Sequence, residues 1–200
     1  MNFTANNILK AALSLVGYTE QGENLQKFSA DFGVKQAQWC GYFVDYIIKH
    51  NGGKEPKCAY TPAGAEGYKS IHRFMTIGDP KPGDVIFFDF PNDGIFRISH
   101  VGFVVTTLTN GNVLCIEGNT SPTEAGDQRN GGCVAVKERT RKTIVGWARP
   151  HYESAPVPAA HEIVQLWKNK ELPKPYKGDL GEGKPAVKAP AKKTTPKGKK

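Results

Sequence analysis

Hydrophobic spacing changes character once along this chain, near Pro80, and that change restricts the fold more than any other feature. Before it, apolar residues recur at helical spacing. The clearest case runs from Gln38 to His50, where Cys40, Phe43, Val44, Ile47 and Ile48 form one stripe and Asn51-Gly52-Gly53 ends it. Ile8, Leu9, Ala12, Leu15 and Val16 predict a helix over residues 5–17 with Gly17 as its stop, and residues 24–32 and 64–75 predict two more. After Pro80 the signals are those of strands. Lys81-Pro82-Gly83 is a turn leading into Asp84 to Asp89. His100 to Thr107 and Asn112 to Glu117 are joined through Asn110-Gly111, a hairpin signal, and Cys133 to Lys137 and Thr143 to Ala148 complete the set. Helices first and antiparallel strands afterwards predict an α+β fold, helices packed on a sheet.

Pro150 opens a different regime. Ser154 to Ala160 is rich in Pro and Ala and reads as a linker, and His161 to Leu172 carries one short amphipathic pattern. From residue 173 onward Lys, Pro, Gly, Ala and Thr leave little to bury, so a disordered tail is expected. The expected organisation is one domain over 1–150, a linker with a short helix over 151–172 and a basic tail over 173–200.

The net charge of +8 belongs to that tail. Nine lysines and two acids between Lys174 and Lys200 give +7, leaving +1 for residues 1–173. A nearly neutral globular part without interleaved arginines and aromatics in its tail excludes specific nucleic-acid recognition as the expected role. Lysines of this kind are drawn to polyanions through weak, salt-sensitive contacts. No apolar run approaches the roughly 18 residues of a membrane span. The N-terminus lacks a basic segment followed by an apolar stretch, so no secretory signal is expected.

Cys40, Cys58, Cys115 and Cys133 form no CxxC or CxxH pair, which argues against zinc-ribbon and redox motifs. Cys40 stands near the start of the strongest helix, where the positive end of the helix dipole favours a thiolate. The ordinary alternative is a small buried core thiol. A thiolate nucleophile needs a base within reach and a third group to orient that base. His50 lies ten residues further along the same helix, about 15 Å away, and cannot reach. His151 and His161 lie in or beside the linker. His72 stays open, and His100 opens a strand. A two-residue turn at Asn110-Gly111 would place Glu117 opposite Val104 and Asn119 opposite Gly102, so that His100, Glu117 and Asn119 share one face. Either of the last two could then hold the imidazole by its second nitrogen.

Four segments together resemble one family. Gln38-Trp39-Cys40-Gly41-Tyr42-Phe43-Val44 is similar to the nucleophile motif of CHAP domains, the cysteine- and histidine-dependent amidohydrolase/peptidases. Pro82 to Phe88 resembles the strand before the histidine. Ser99 to Val105 resembles the histidine motif, and Ile116-Glu117-Gly118-Asn119-Thr120-Ser121 the acidic/amide motif. Gly146-Trp147-Ala148-Arg149-Pro150 looks like the usual last strand. Order and spacing agree over about residues 5–150.

The resemblance implies a papain-like α+β fold and an endolysin-type enzyme that cleaves an amide bond of bacterial peptidoglycan, as N-acetylmuramoyl-L-alanine amidase or peptide endopeptidase. It implies Cys40 as nucleophile, His100 as general base, Glu117 as the group orienting His100 and Asn119 as an assisting fourth member. Some members bind calcium before the nucleophile, but residues 20–38 offer only Glu20, Glu23 and Asp31, so no metal or other cofactor is expected. The expected partners are peptidoglycan and, through the lysine tail, anionic wall polymers, with the chain itself a monomer. The expected location is the host cytoplasm until release to the wall, or the virion. The competing expectation is a catalytically inactive wall-binding or polyanion-binding protein on the same fold.

Overall fold

The computed structural model describes residues 2–91, 94 and 97–179. In chain order the elements are α1 (Ala5–Leu13), β1 (Tyr18–Thr19), α2 (Lys27–Ala30), α3 (Cys40–His50), α4 (Thr61–Ser70), β2 (Phe74–Met75), β3 (Val85–Phe88), β4 (His100–Thr107), β5 (Val113–Thr120), β6 (Cys133–Arg139), β7 (Ile144–Ala148), α5 (Pro158–Lys168) and β8 (Tyr176–Lys177). The strands make one sheet in the order β2-β7-β3-β4-β5-β6-β1-β8. Every pairing is antiparallel except β1 with β8. This is the α+β layout that the change near Pro80 predicts.

Alternation along the strands sorts the core into two clusters. Val101, Phe103 and Val105 of β4 join Leu114 and Ile116 of β5 on the face covered by α1 and α3, among Ile8, Leu9, Phe43, Val44 and Ile47. Val104, Val113 and Cys115 point the other way, into a smaller cluster with Ile86, Phe88 and Trp147. The α3 stripe at positions 40, 43, 44, 47 and 48 is buried throughout, as its spacing requires.

Three expectations are corrected. The helix expected over 64–75 occupies Thr61–Ser70 instead. Pro62, with its fixed φ, suits a helix start, and His72 at φ 55 cannot continue one. Phe74 and Met75 then join the sheet edge beside β7. The helix expected from His161 to Leu172 begins earlier, at Pro158, and ends at Lys168. Its Ala159, Ala160 and Ile163 are buried in the main core.

The third correction concerns register. Glu117 lies opposite Gly102, not Val104, and Cys115 lies opposite Val104. The hairpin turn is longer than two residues: Leu108 donates to Asn112 O, Gly111 donates to Leu108 O, and Gly111 sits at φ 84. A bulge between Val104 and Thr106 adds a further step. The two offsets together shift the pairing by two residues, which preserves parity, so His100 and Glu117 still share a face. Residues 180–200, and with them most of the tail expected to be disordered, lie outside the described residues.

Candidate active site

Cys40 is the first residue of α3 and His100 the first residue of β4, so both stand where their elements begin. That placement lets a helix on one face of the sheet meet an imidazole whose side chain belongs to the other. His100 packs at 6.0 Å from the Phe88 ring and 5.5 Å from Phe90, on the side away from α3. Cys40 is 6% exposed and His100 is fully buried, so of the two only the cysteine residue touches solvent.

The imidazole is held from behind. Its Nε2 lies 2.9 Å from Glu117 Oε2. Its Nδ1, the nitrogen left for the thiol, is buried without a hydrogen bond of full geometry. Cys40 is nonetheless close enough for its charge and its hydrogen bonding to be the strongest influences favouring the protonated ring. Cys40 and His100 are thus neighbours, with Nδ1 the ring nitrogen that has no other partner. Burial lowers the His100 pKa, but Cys40 first and Glu117 second outweigh it and raise it to about 9.

Glu117 is fully buried, which by itself would neutralise it. Burial raises its pKa, but Arg139 and then His100 bring it down to about 2. Arg139 Nε donates to Oε1 at 2.8 Å and Nη2 to Oε2 at 2.5 Å, a two-pronged grip. Opposite Glu117, Gly102 leaves the carboxylate its space: a Cβ at that position would lie 2.7 Å from Glu117 Cγ.

Asn119 goes elsewhere. It adopts φ 56, and the β5–β6 ladder slips between Glu117 and Thr120, so strict alternation stops at Glu117. Its Nδ2 donates to Asn130 Oδ1 at 3.0 Å, and its Oδ1 accepts from Gly132 N at 3.2 Å. The structure thus brings Cys40, His100 and Glu117 together and turns the Asn119 amide toward the β5–β6 connection. His72 is exposed in a left-handed turn after α4, and His50 pairs with Asp31 at the far end of α3.

The start of α3 is packed tightly. Trp39 stacks on Phe28 with centroids 5.0 Å apart and donates from Nε1 to Glu20 Oε2 at 2.7 Å. A Cβ on Gly41 would fall 1.8 Å from Cys58 O, so only glycine admits that segment. Asp45, one turn further along, accepts from Cys58 N at 2.8 Å and Ala59 N at 3.0 Å and so fixes the same segment. Cys58, Cys115 and Cys133 are free and buried. Burial pushes the first two thiols well up and the third to about 11, so none of them is primed as a nucleophile. Among the described residues no group of three or more His, Cys, Asp or Glu side chains could hold a metal.

Residues 31–119 match the CHAP domain family, an interval that begins before Cys40 and closes on Asn119. Over that interval the chain is similar to CHAP domains. The match takes in Cys40, His100, Glu117 and Asn119 and so supports the resemblance read from their motifs. A solved structure titled as a wild-type endolysin, LysIME-EF1, is similar at TM-score 0.42 and 15% identity, over 88% of this chain and 92% of that one. No curated protein matches. Arg139 lies beyond the matched interval, and the motif reading missed it: Lys137-Glu138-Arg139 looks like the charged end of an exposed strand. Four apolar residues followed by three charged ones give no alternation, so the strand itself carries no signal of an inward arginine.

Proposed function

We propose that this CHAP domain hydrolyses an amide bond of bacterial peptidoglycan by cysteine nucleophilic catalysis, as an N-acetylmuramoyl-L-alanine amidase or a peptide endopeptidase. The observation that carries the reading is the His100 ring: one nitrogen is fixed on a buried carboxylate at 2.9 Å and the other is left to the Cys40 sulfur. In this mechanism His100 takes the thiol proton and the Cys40 sulfur attacks the amide carbonyl. The backbone N–H of Cys40, in the first turn of α3 and without an acceptor inside the helix, is the candidate to stabilise the oxyanion. Imidazolium returns the proton to the leaving amine, and water then cleaves the thioester. Glu117 holds the ring and balances its charge.

Asn119, tied to Asn130 and Gly132, supports the site by fixing the end of β5. Anionic wall polymers are the proposed partners of the C-terminal lysines. The role of a phage lysin that reaches the wall after release fits the same chemistry.

Turbidity of a purified cell-wall suspension tests the reading, with mass spectrometry of the released muropeptides naming the bond. Wild type should clear the suspension, and Cys40→Ala and His100→Ala should not. Wild-type clearance by a folded Cys40→Ala variant would overturn the mechanism. Binding without clearance by both proteins would favour the inactive wall-binding protein.

A further inference from the structure

We infer that Arg139 is a positioning residue of this site: it fixes the Glu117 carboxylate, in place and in charge, so that His100 is presented to Cys40. The inference rests on the cysteine mechanism proposed above and adds a member that the family motifs do not contain.

Four observations bear on it. Arg139 is 5% exposed although it ends an outer stretch of β6, so its charge has been taken out of water for a partner. That partner is Glu117, gripped through both oxygens. The rest of the guanidinium is spoken for as well. Nη2 also donates to Thr120 Oγ1 at 3.2 Å, and Nη1 donates to Gln128 Oε1 at 3.0 Å. Its plane lies against aromatic surface, 4.8 Å from the Phe90 centroid and 5.8 Å from Phe88, the two rings that also flank His100. A group held on this many sides has one place to be. A carboxylate gripped at both oxygens can offer Oε2 to His100 Nε2 in one direction only.

The charge matters as much as the geometry. A fully buried carboxyl without Arg139 would take up a proton at higher pH than it does now. A neutral acid would neither fix the ring nor stabilise imidazolium. Lysine cannot substitute fully, because an ammonium is a point charge without a planar fork. Gln128 carries the same network into the β5–β6 connection, where its Nε2 donates to Thr123 O at 2.8 Å and Gly126 O at 2.7 Å.

The test uses the full chain with Arg139→Gln and Arg139→Lys, each first shown to fold by circular dichroism and thermal unfolding. Steady-state kinetics on purified peptidoglycan are then followed across pH, and the Cys40 carboxymethylation rate is followed by peptide mass spectrometry. In Arg139→Gln, kcat should fall about a hundredfold with little change in KM, because only the presentation of His100 is lost. The acid limb of kcat should move to higher pH, since Glu117 then protonates more readily. Arg139→Lys should recover part of kcat and part of the limb. A folded Arg139→Gln enzyme with wild-type kcat and an unmoved acid limb would overturn the inference. If that variant does not fold, Arg139→Lys decides: wild-type kcat and pH profile there would overturn it equally. Lysis by Cys40→Ala or His100→Ala would bring down the cysteine mechanism itself, whatever Arg139 does.

Discussion

At the scale of single residues the candidate site is a row of four polar side chains: Arg139, Glu117, His100, Cys40. Each link is buried or nearly so, and each needs the next. Glu117→Gln keeps the shape and removes the charge. It should lower kcat by about two to four orders of magnitude, read as initial clearance rates at saturating substrate. The raised His100 pKa makes a second prediction. In the proposed mechanism imidazolium is the acid for the leaving amine, so kcat should fall as pH rises through about 9. Stability has the same sign. A folded-state pKa above the ordinary 6.5 means that this contribution is complete below 6.5 and is lost as pH rises through about 9. For Glu117 the sign reverses: its contribution is present above the ordinary 4.5 and is lost as pH falls toward about 2. Cys40, His100 and Glu117 were legible because each sits in a motif with local character. Arg139 was not, since nothing within β6 distinguishes an inward arginine that has a partner from an outward one. The partner lies twenty-two residues upstream.

At the scale of elements, α3 is set in place by contacts at its first turns. Gly41→Ala would drive a methyl group into the backbone at Cys58, 1.8 Å away, where neither side can yield cheaply. We expect a loss of about 1–3 kcal/mol or more in chemical denaturation, with Cys40 displaced. Asp45→Ala would strip the N–H groups of Cys58 and Ala59 of their acceptor. It should cost about 1–3 kcal/mol, read from the denaturant midpoint. The length and face of α3 followed from its spacing. The β4–β5 register did not, because a bulge and a longer turn are backbone events that Asn110-Gly111 does not announce. The even shift spared the shared face of His100 and Glu117. The left-handed backbone at Asn119 ended the pattern one step later.

At the scale of the whole molecule, the segment after Pro150 is part of the fold. Ile163, fully buried against the main core, sits on α5, and Ala159 N donates to Asn6 Oδ1 at 3.1 Å. Tyr176–Lys177 adds a strand to β1. A chain cut after Pro150 should therefore expose the α1 face. It should melt measurably lower than the full chain in a thermal scan, and Ile163→Ala should cost about 2–5 kcal/mol. The layer order was readable from one change in periodicity. The docking of α5 was not, because a Pro- and Ala-rich approach gives no hint of where the helix will lie.

The two groups proposed to react open a helix from the early part of the chain and a strand from its middle, and the carboxylate and guanidinium behind them arrive later still. A chain that has emerged only as far as α4 owns the sulfur and nothing to arm it. Under the proposed mechanism reactivity is thus withheld until sheet and helices have closed on one another, because a partly unfolded copy has no imidazole beside its sulfur.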